Sequence, residues 1–240
     1  MESGFVGEMV GTAILVLMGN GVVSNVLLNK SKGQNSGWIV IATGWAFAVL
    51  AGVVTAVALG SQGHLNPAVT LAFFALGHFP KDELLPYLSG QIIGAIIGAV
   101  LVWLTYLSHW KSTEDAAIKL ACFSTGPAIR APFANMLTEF IGTFVLVFLV
   151  VAIFNKSVGT TGVLGPLTVA LIVYGIGLSL GGPTGFAINP ARDLGARLAH
   201  AVLPIPGKGS SDWSYAWVPV VGPILGGISA IGVARLAGMM

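Results

Sequence analysis

"GHLNPAVTLAFFALGHF" runs from Gly63 to Phe79, and "GFAINPARDLGARLAH" from Gly185 to His200. Each places Asn-Pro-Ala at the head of an apolar segment: Asn66-Pro67-Ala68 in one, Asn189-Pro190-Ala191 in the other. Asparagine is a favoured helix N-cap and proline is favoured at the first helical position. Both triplets therefore predict helix starts. The helices they open are short. A ten-residue helix is about 15 Å long, half of a hydrocarbon core of roughly 30 Å.

The composition around these segments is that of a polytopic membrane protein. Only 8% of the 240 residues are charged and 55% are hydrophobic, whereas an average soluble domain is about 25% charged. Twenty charged side chains could not cover a soluble surface of this size. A net charge of +2 gives no argument for nucleic acid or an acidic partner. The single cysteine, Cys122, excludes an intrachain disulfide. The opening "MESGFVGEM" has no basic region, so the first apolar run is expected to be a span rather than a cleaved signal.

Six stretches have the length and apolarity of spans: about Gly4–Leu28, Trp38–Leu59, Leu84–Leu107, Asn135–Phe154, Val163–Leu180 and Trp213–Leu236. The Asn-Pro-Ala segments are the remaining apolar stretches. Non-helical backbone at membrane depth is tolerated only inside protein or along a water-filled cavity. Each short helix, with the loop entering it, is therefore expected to line one. Glycines at four-residue spacing (Gly90, Gly94 and Gly98; Gly222 and Gly226) predict close helix packing.

The two halves are alike. "GEMVGTAILVLM" (Gly7–Met18) aligns with "TEFIGTFVLVFL" (Thr138–Leu149), setting Glu8 beside Glu139. Each half reads span, span, half-helix, span. Three crossings per half invert the second half, so the special segments should meet near the midplane. The expected fold class is an all-α membrane protein: six transmembrane helices plus two re-entrant half-helices, related by an inverted internal repeat. We expect one domain over residues 1–240, with repeats at about 1–110 and 133–240 joined by loop 111–132.

Two helix starts meeting nose to nose set two positive ends, each about half a unit charge, against one lumen. That centre repels cations. The asparagine side chains add N–H donors for a passing oxygen.

At these residues the chain resembles the major intrinsic protein family, the aquaporins and glycerol facilitators, over essentially its whole length. In such pores half-helix dipoles and an arginine are known barriers to cations. The resemblance implies a passive channel with one pore per subunit, a homotetramer in the cell membrane, and cytoplasmic termini. The basic residues argue the other way. Loops after the first, third and fifth spans carry Lys30, Lys32, Lys111, Lys119, Arg130, Arg192, Arg197 and Lys208, against Lys81, Lys156 and Arg235 on the opposite side. A positive-inside count places the termini outside, and the resemblance overrides it here.

The resemblance also implies a selectivity filter. Arg192, directly after the second triplet, corresponds to the family's filter arginine, and a salt bridge to Asp193 is its structural alternative. Gly177 stands where water-only channels usually carry histidine, which reads as an open wall. Phe186 matches the aromatic position of glycerol channels, and Trp45 resembles their second aromatic. An aromatic corner facing an arginine suits a polyol, with CH groups on the rings and OH groups on the guanidinium. Trp45 lies 21 residues before Asn66, where relatives usually have 20. If the extra residue falls within the helix, Ala46 rather than Trp45 faces the pore. "FSTGP" puts Gly126 where glycerol channels often carry an aromatic, which opens the outer vestibule to a bulkier solute.

Gly63, His64, Leu65, Ala187 and Asp193 are expected to line the pore or support its loops. Glu8 and Glu139 read as buried carboxylates that accept N–H groups of the re-entrant loops; their functional alternative is a proton relay. His64 reads as a fixed side chain at the pore mouth. Trp103, Tyr106, Trp110, Trp213, Tyr215 and Trp217 read as an interfacial aromatic belt. No metal-ligand spacing, nucleophile–base pair or phosphate loop is visible, so neither cofactor nor enzyme is expected. The solutes implied are glycerol and water. The alternatives are a water-selective channel, a facilitator of dihydroxyacetone or protonated lactic acid, and a proton-coupled carrier.

Overall fold

The computed structural model describes residues 4–159 and 162–240. Ten helices account for the fold of these residues: α1 (Phe5–Leu27), α2 (Trp38–Ala58), α3 (Pro67–Ala75), α4 (Lys81–Thr105), α5 (Leu107–Trp110), α6 (Ala116–Ala121), α7 (Pro132–Phe154), α8 (Leu164–Leu180), α9 (Pro190–Val202) and α10 (Val218–Leu236). Five (α1, α2, α4, α7 and α10) are long and apolar enough to cross a membrane, and α8 is a shorter apolar helix of 17 residues. At 1.5 Å per residue α8 still reaches about 26 Å. The half-helices are α3, with 9 residues, and α9, with 13.

The halves pack alike. α4 lies on α1 through Gly90, Gly94 and Gly98, where an added Cβ would run into the carbonyl oxygens of Phe5, Met9 and Ala13. α10 lies on α7 through Gly222 and Gly226, against the carbonyls of Met136 and Phe140. Only glycine lets the backbones come this close. Each half-helix is wedged beside the other half's long pair: α3 against α10, and α9 against α4.

Loop 111–132 is a folded piece of the bundle. Asp115 caps α6 by accepting from Ala117 N at 2.7 Å. The chain then inserts Phe123, fully buried, with its carbonyl accepting from Asn20 Nδ2 at 2.9 Å. This insertion corrects the expected aromatic belt. Trp110 and Tyr215 are each only 1% exposed. Trp110 is covered by Phe123 and donates to Trp103 O, and Tyr215 lies beneath Arg130. Trp213 and Trp217 are exposed, as a belt requires.

Candidate pore and its selectivity ring

Asn66 and Asn189 begin α3 and α9 as expected. Each takes an extended backbone, and each Oδ1 accepts from its own helix: Asn66 from Ala68 N at 2.9 Å, Asn189 from Ala191 N at 2.9 Å and Arg192 N at 3.3 Å. Their amide nitrogens cross over. Asn66 Nδ2 donates to Ile188 O and Asn189 Nδ2 donates to Leu65 O, both at 2.7 Å. The loops are thus stitched tip to tip. An amide nitrogen carries two N–H donors, so each asparagine keeps one. Both residues line a cavity of about 700 Å³.

The loops entering the half-helices are strained. Gly63 and Leu65 take φ of 70° and 51°, and Gly185, Phe186 and Ile188 take 83°, 40° and 42°. Left-handed non-glycine residues cost on the order of 1–3 kcal/mol each and persist only where the surroundings hold them. Here the carboxylates do. Glu8 accepts from His64 N at 2.9 Å and Leu65 N at 2.7 Å. Glu139 accepts from Ala187 N at 3.0 Å and Ile188 N at 2.7 Å. Glu8 takes two further donors, Ser61 Oγ and, at 2.7 Å, Gln91 Nε2. Neither carboxylate lines the cavity; both stand behind its loops.

The cavity runs from His64, His78 and Phe154 at one end to Trp45, Phe186 and Arg192 at the other. At the histidine end, His64 Nδ1 sits 3.1 Å from Thr70 Oγ1, and its ring packs against Phe73, Phe79 and Tyr87. At the other end, Arg192 Cζ lies 4.0 Å from the centroid of the Trp45 ring. Trp45 and Phe186 meet edge to face, centroids 6.5 Å apart at 77°. Trp45 rather than Ala46 therefore reaches the cavity. α2 runs unbroken to Ala58, and the connection to α3 turns at Gly60, with φ 86°.

Arg192 has no ion pair or side-chain hydrogen bond among the described residues. Asp193 is held elsewhere: by Arg197 Nε at 2.9 Å and Nη2 at 2.8 Å, by Thr125 N at 2.7 Å and by Thr125 Oγ1 at 2.6 Å. Arg197 also donates to Ser211 O and Thr125 O. The structural alternative for Arg192, a bridge to Asp193, is thus excluded by geometry, and the guanidinium's donors are left for the lumen.

Gly177 differs from its sequence reading. It does not face the lumen as an open wall. A Cβ there would sit 3.0 Å from Phe186 Cζ and 3.4 Å from Ala42 Cβ, so the ring of Phe186 already occupies the space that glycine leaves. Sequence reasoning also missed Thr125 and assigned Arg197 no partner, since both roles depend on a long-range fold-back. Gly126 stands in open space at the Arg192 end, with nothing within 4 Å of an added Cβ.

Six apolar crossing helices, two half-helices meeting at their N-termini and a cavity threading between them define a membrane channel of the re-entrant-loop class. The chain belongs to the major intrinsic protein family, whose model matches residues 2–233. It is 56% identical over 224 residues to a probable glycerol uptake facilitator protein of Thermotoga maritima, covering 93% of this chain and 94% of that one. It is 57% identical over 225 residues to the glycerol uptake facilitator protein of Bacillus subtilis, covering 93% and 80%. The X-ray structure of the aquaglyceroporin from Plasmodium falciparum superposes with a TM-score of 0.86 at 27% identity, covering 98% of both chains.

Proposed function

We propose that this protein is a passive channel that conducts glycerol, other small uncharged solutes and water, and excludes protons and ions. The observation that carries the reading is the corner of Trp45, Phe186 and the unpaired Arg192 at one end of the cavity. A polyol passing it lays its CH edge on the rings and turns its hydroxyl oxygens to the guanidinium, which is permanently charged and presents five N–H donors. The names of the relatives, glycerol facilitators, point the same way. Further along, the free N–H of Asn66 and of Asn189 take up the oxygens in turn. The converging N-termini of α3 and α9 and the charge of Arg192 oppose cations. Glu8 and Glu139 serve as scaffold, since backbone donors fill them and they stand out of the lumen.

In this reading residues 1–240 form one channel domain, with repeats at about 1–110 and 133–240. It assembles as a homotetramer in the cell membrane, and both termini are cytoplasmic. The side chains weaken the count against that orientation. Of the basic residues on the Arg192 side, Lys119 and Lys208 are spent on backbone carbonyls, and Arg197 on Asp193; Arg192 faces the cavity. With the half-exposed Arg130, Lys30, Lys32 and Lys111 remain to face Lys81, Lys156 and Arg235 across the bilayer, and the positive-inside imbalance shrinks to four against three. Planar-bilayer recording on protein that passes glycerol in vesicles tests the exclusion. No current above bare lipid under a pH or salt gradient is expected, and a steady proton current would refute it.

A further inference from the structure

The aromatic corner has a third member that does not touch its arginine. Trp38 opens α2 at the Arg192 end of the bundle and is 39% exposed. A tryptophan at a membrane interface ordinarily turns its N–H to headgroups and water. Trp38 does not: its Nε1 donates at 2.9 Å to the carbonyl of Gly177, 139 residues along the chain. Its ring stands edge to face on Phe186, centroids 5.7 Å apart at 79°. Phe186 meets Trp45 edge to face as well.

Gly181 completes the arrangement. It lies one turn beyond Gly177 on α8, and its φ of −76° is ordinary, so glycine is there for space. A Cβ would fall 2.7 Å from Phe186 Cδ1 and 2.8 Å from Trp38 Cζ2. Gly177 and Gly181 thus form a flat seat, with Phe186 pressed onto it and Trp38 closing over the outer edge. Phe186 itself sits on strained backbone, φ 40°, and the bonds that hold its loop go to the backbone of Gly185, Ala187 and Ile188, not to its ring. Something besides its own backbone has to fix the ring's position.

We propose that Trp38 is a specificity-determining positioning residue. By bonding to Gly177 and packing on Phe186 it holds the Phe186 ring on the α8 seat, and so sets the width of the Trp45–Phe186–Arg192 ring. Without Trp38, Phe186 rocks, and the ring discriminates less between glycerol and longer polyols.

The inference rests on the polyol-channel reading, and the test separates the two. Wild-type and variant proteins are reconstituted at matched protein content, and erythritol and glycerol permeabilities are measured by vesicle swelling. Glycerol flux in the wild type tests the reading; the erythritol-to-glycerol ratio tests the proposal. A merely structural role removes working channels and leaves the ratio unchanged. Trp38→Ala is expected to raise it by about threefold or more, the factor that corresponds to losing one edge-to-face aromatic pair. In a Phe186→Ala background the same change should have nearly no effect, because Trp38 acts through that ring. An unchanged ratio in Trp38→Ala, or an equal rise with Phe186 already removed, overturns the proposal. Should Trp38→Ala fail to fold, Trp38→Phe decides alone: it keeps a ring but loses the N–H, and a wild-type ratio would overturn the proposal.

Discussion

Arg192 lies over Trp45, with its Cζ 4.0 Å from the ring centroid, while the carboxylate next to it in sequence bonds to Arg197 and Thr125. Asp193 is wholly taken by Arg197 and Thr125. An arginine in the pore beside a free aspartate would be neutralised; here the aspartate is spent on holding loop 111–132 against α9. Asp193→Asn is therefore expected to act on folding. It leaves Arg197, which is fully buried, without its counter-charge, and breaking a buried pair costs about 3–5 kcal/mol. Yield of monodisperse protein and melting temperature in detergent should fall sharply. A stable Asp193→Asn channel with altered solute preference would instead place Asp193 in the filter.

Gly177 is the seat of Phe186, so enlarging it should act through that ring. The Cβ of Gly177→Ala would lie 3.0 Å from Phe186 Cζ, tighter than ordinary contact. The ring is displaced toward the lumen. Glycerol permeability is expected to fall by about five- to tenfold, the lower part of the range set by the 1–3 kcal/mol typical of overpacking, while water permeability falls less. Equal losses for both would show that the change disturbs the bundle and not the ring.

Glu8 and Glu139 are equivalent by repeat but not equally loaded. Converting either to glutamine turns one acceptor oxygen into a donor that faces backbone N–H, at roughly 1–3 kcal/mol for each group left unsatisfied. Glu8 receives Ser61, His64, Leu65 and Gln91, whereas Glu139 receives the backbone N–H groups of Ala187 and Ile188. Folded yield should drop for both and further for Glu8→Gln, as read by size-exclusion chromatography. Normal yield with flux that follows a proton gradient would revive a coupled carrier.

At the Arg192 face, outside the membrane-spanning segments, Asp212 pairs with Arg130, whose guanidinium also covers Tyr215 at 5.5 Å. Partial burial pushes the Asp212 carboxyl up. Hydrogen bonds from Arg130 and Ser214 and the charge of Arg130 outweigh it, so the group sits below its ordinary value. A carboxyl depressed on folding contributes stability that is complete above the unfolded pKa, about 3.9, and is lost as pH falls through the lower folded value. Melting temperatures of wild type and Asp212→Asn should thus differ at neutral pH and converge on strong acidification. A gap that persists at low pH would show that the pair's charge is not what Asp212 contributes.

Much of the fold was legible because bilayer physics is strict. Apolar runs of about 20 residues must span, and Asn-Pro at the head of a short run must begin a helix. The paired "GEMVGT" and "TEFIGT" strings gave the symmetry. What stayed hidden depends on contacts far apart in sequence. The insertion of Phe123 made Trp110 a core residue instead of an interfacial one. The loop count took Lys119 and Lys208 as solvated, whereas both are bound to the protein's own carbonyl oxygens. Gly177 looked like an absent side chain because nothing in the string says that Phe186, nine positions on, folds back to fill it.

Passage of a polyol through the Trp45–Phe186–Arg192 corner is what distinguishes this pore from a water-selective one. Stopped-flow light scattering on proteoliposomes under an inward glycerol gradient measures this directly. Re-swelling well above that of empty vesicles, linear in glycerol concentration and unaffected by a protonophore, is the result expected. Fast water efflux with glycerol entry no greater than through bare lipid would contradict the account and leave a water-selective pore.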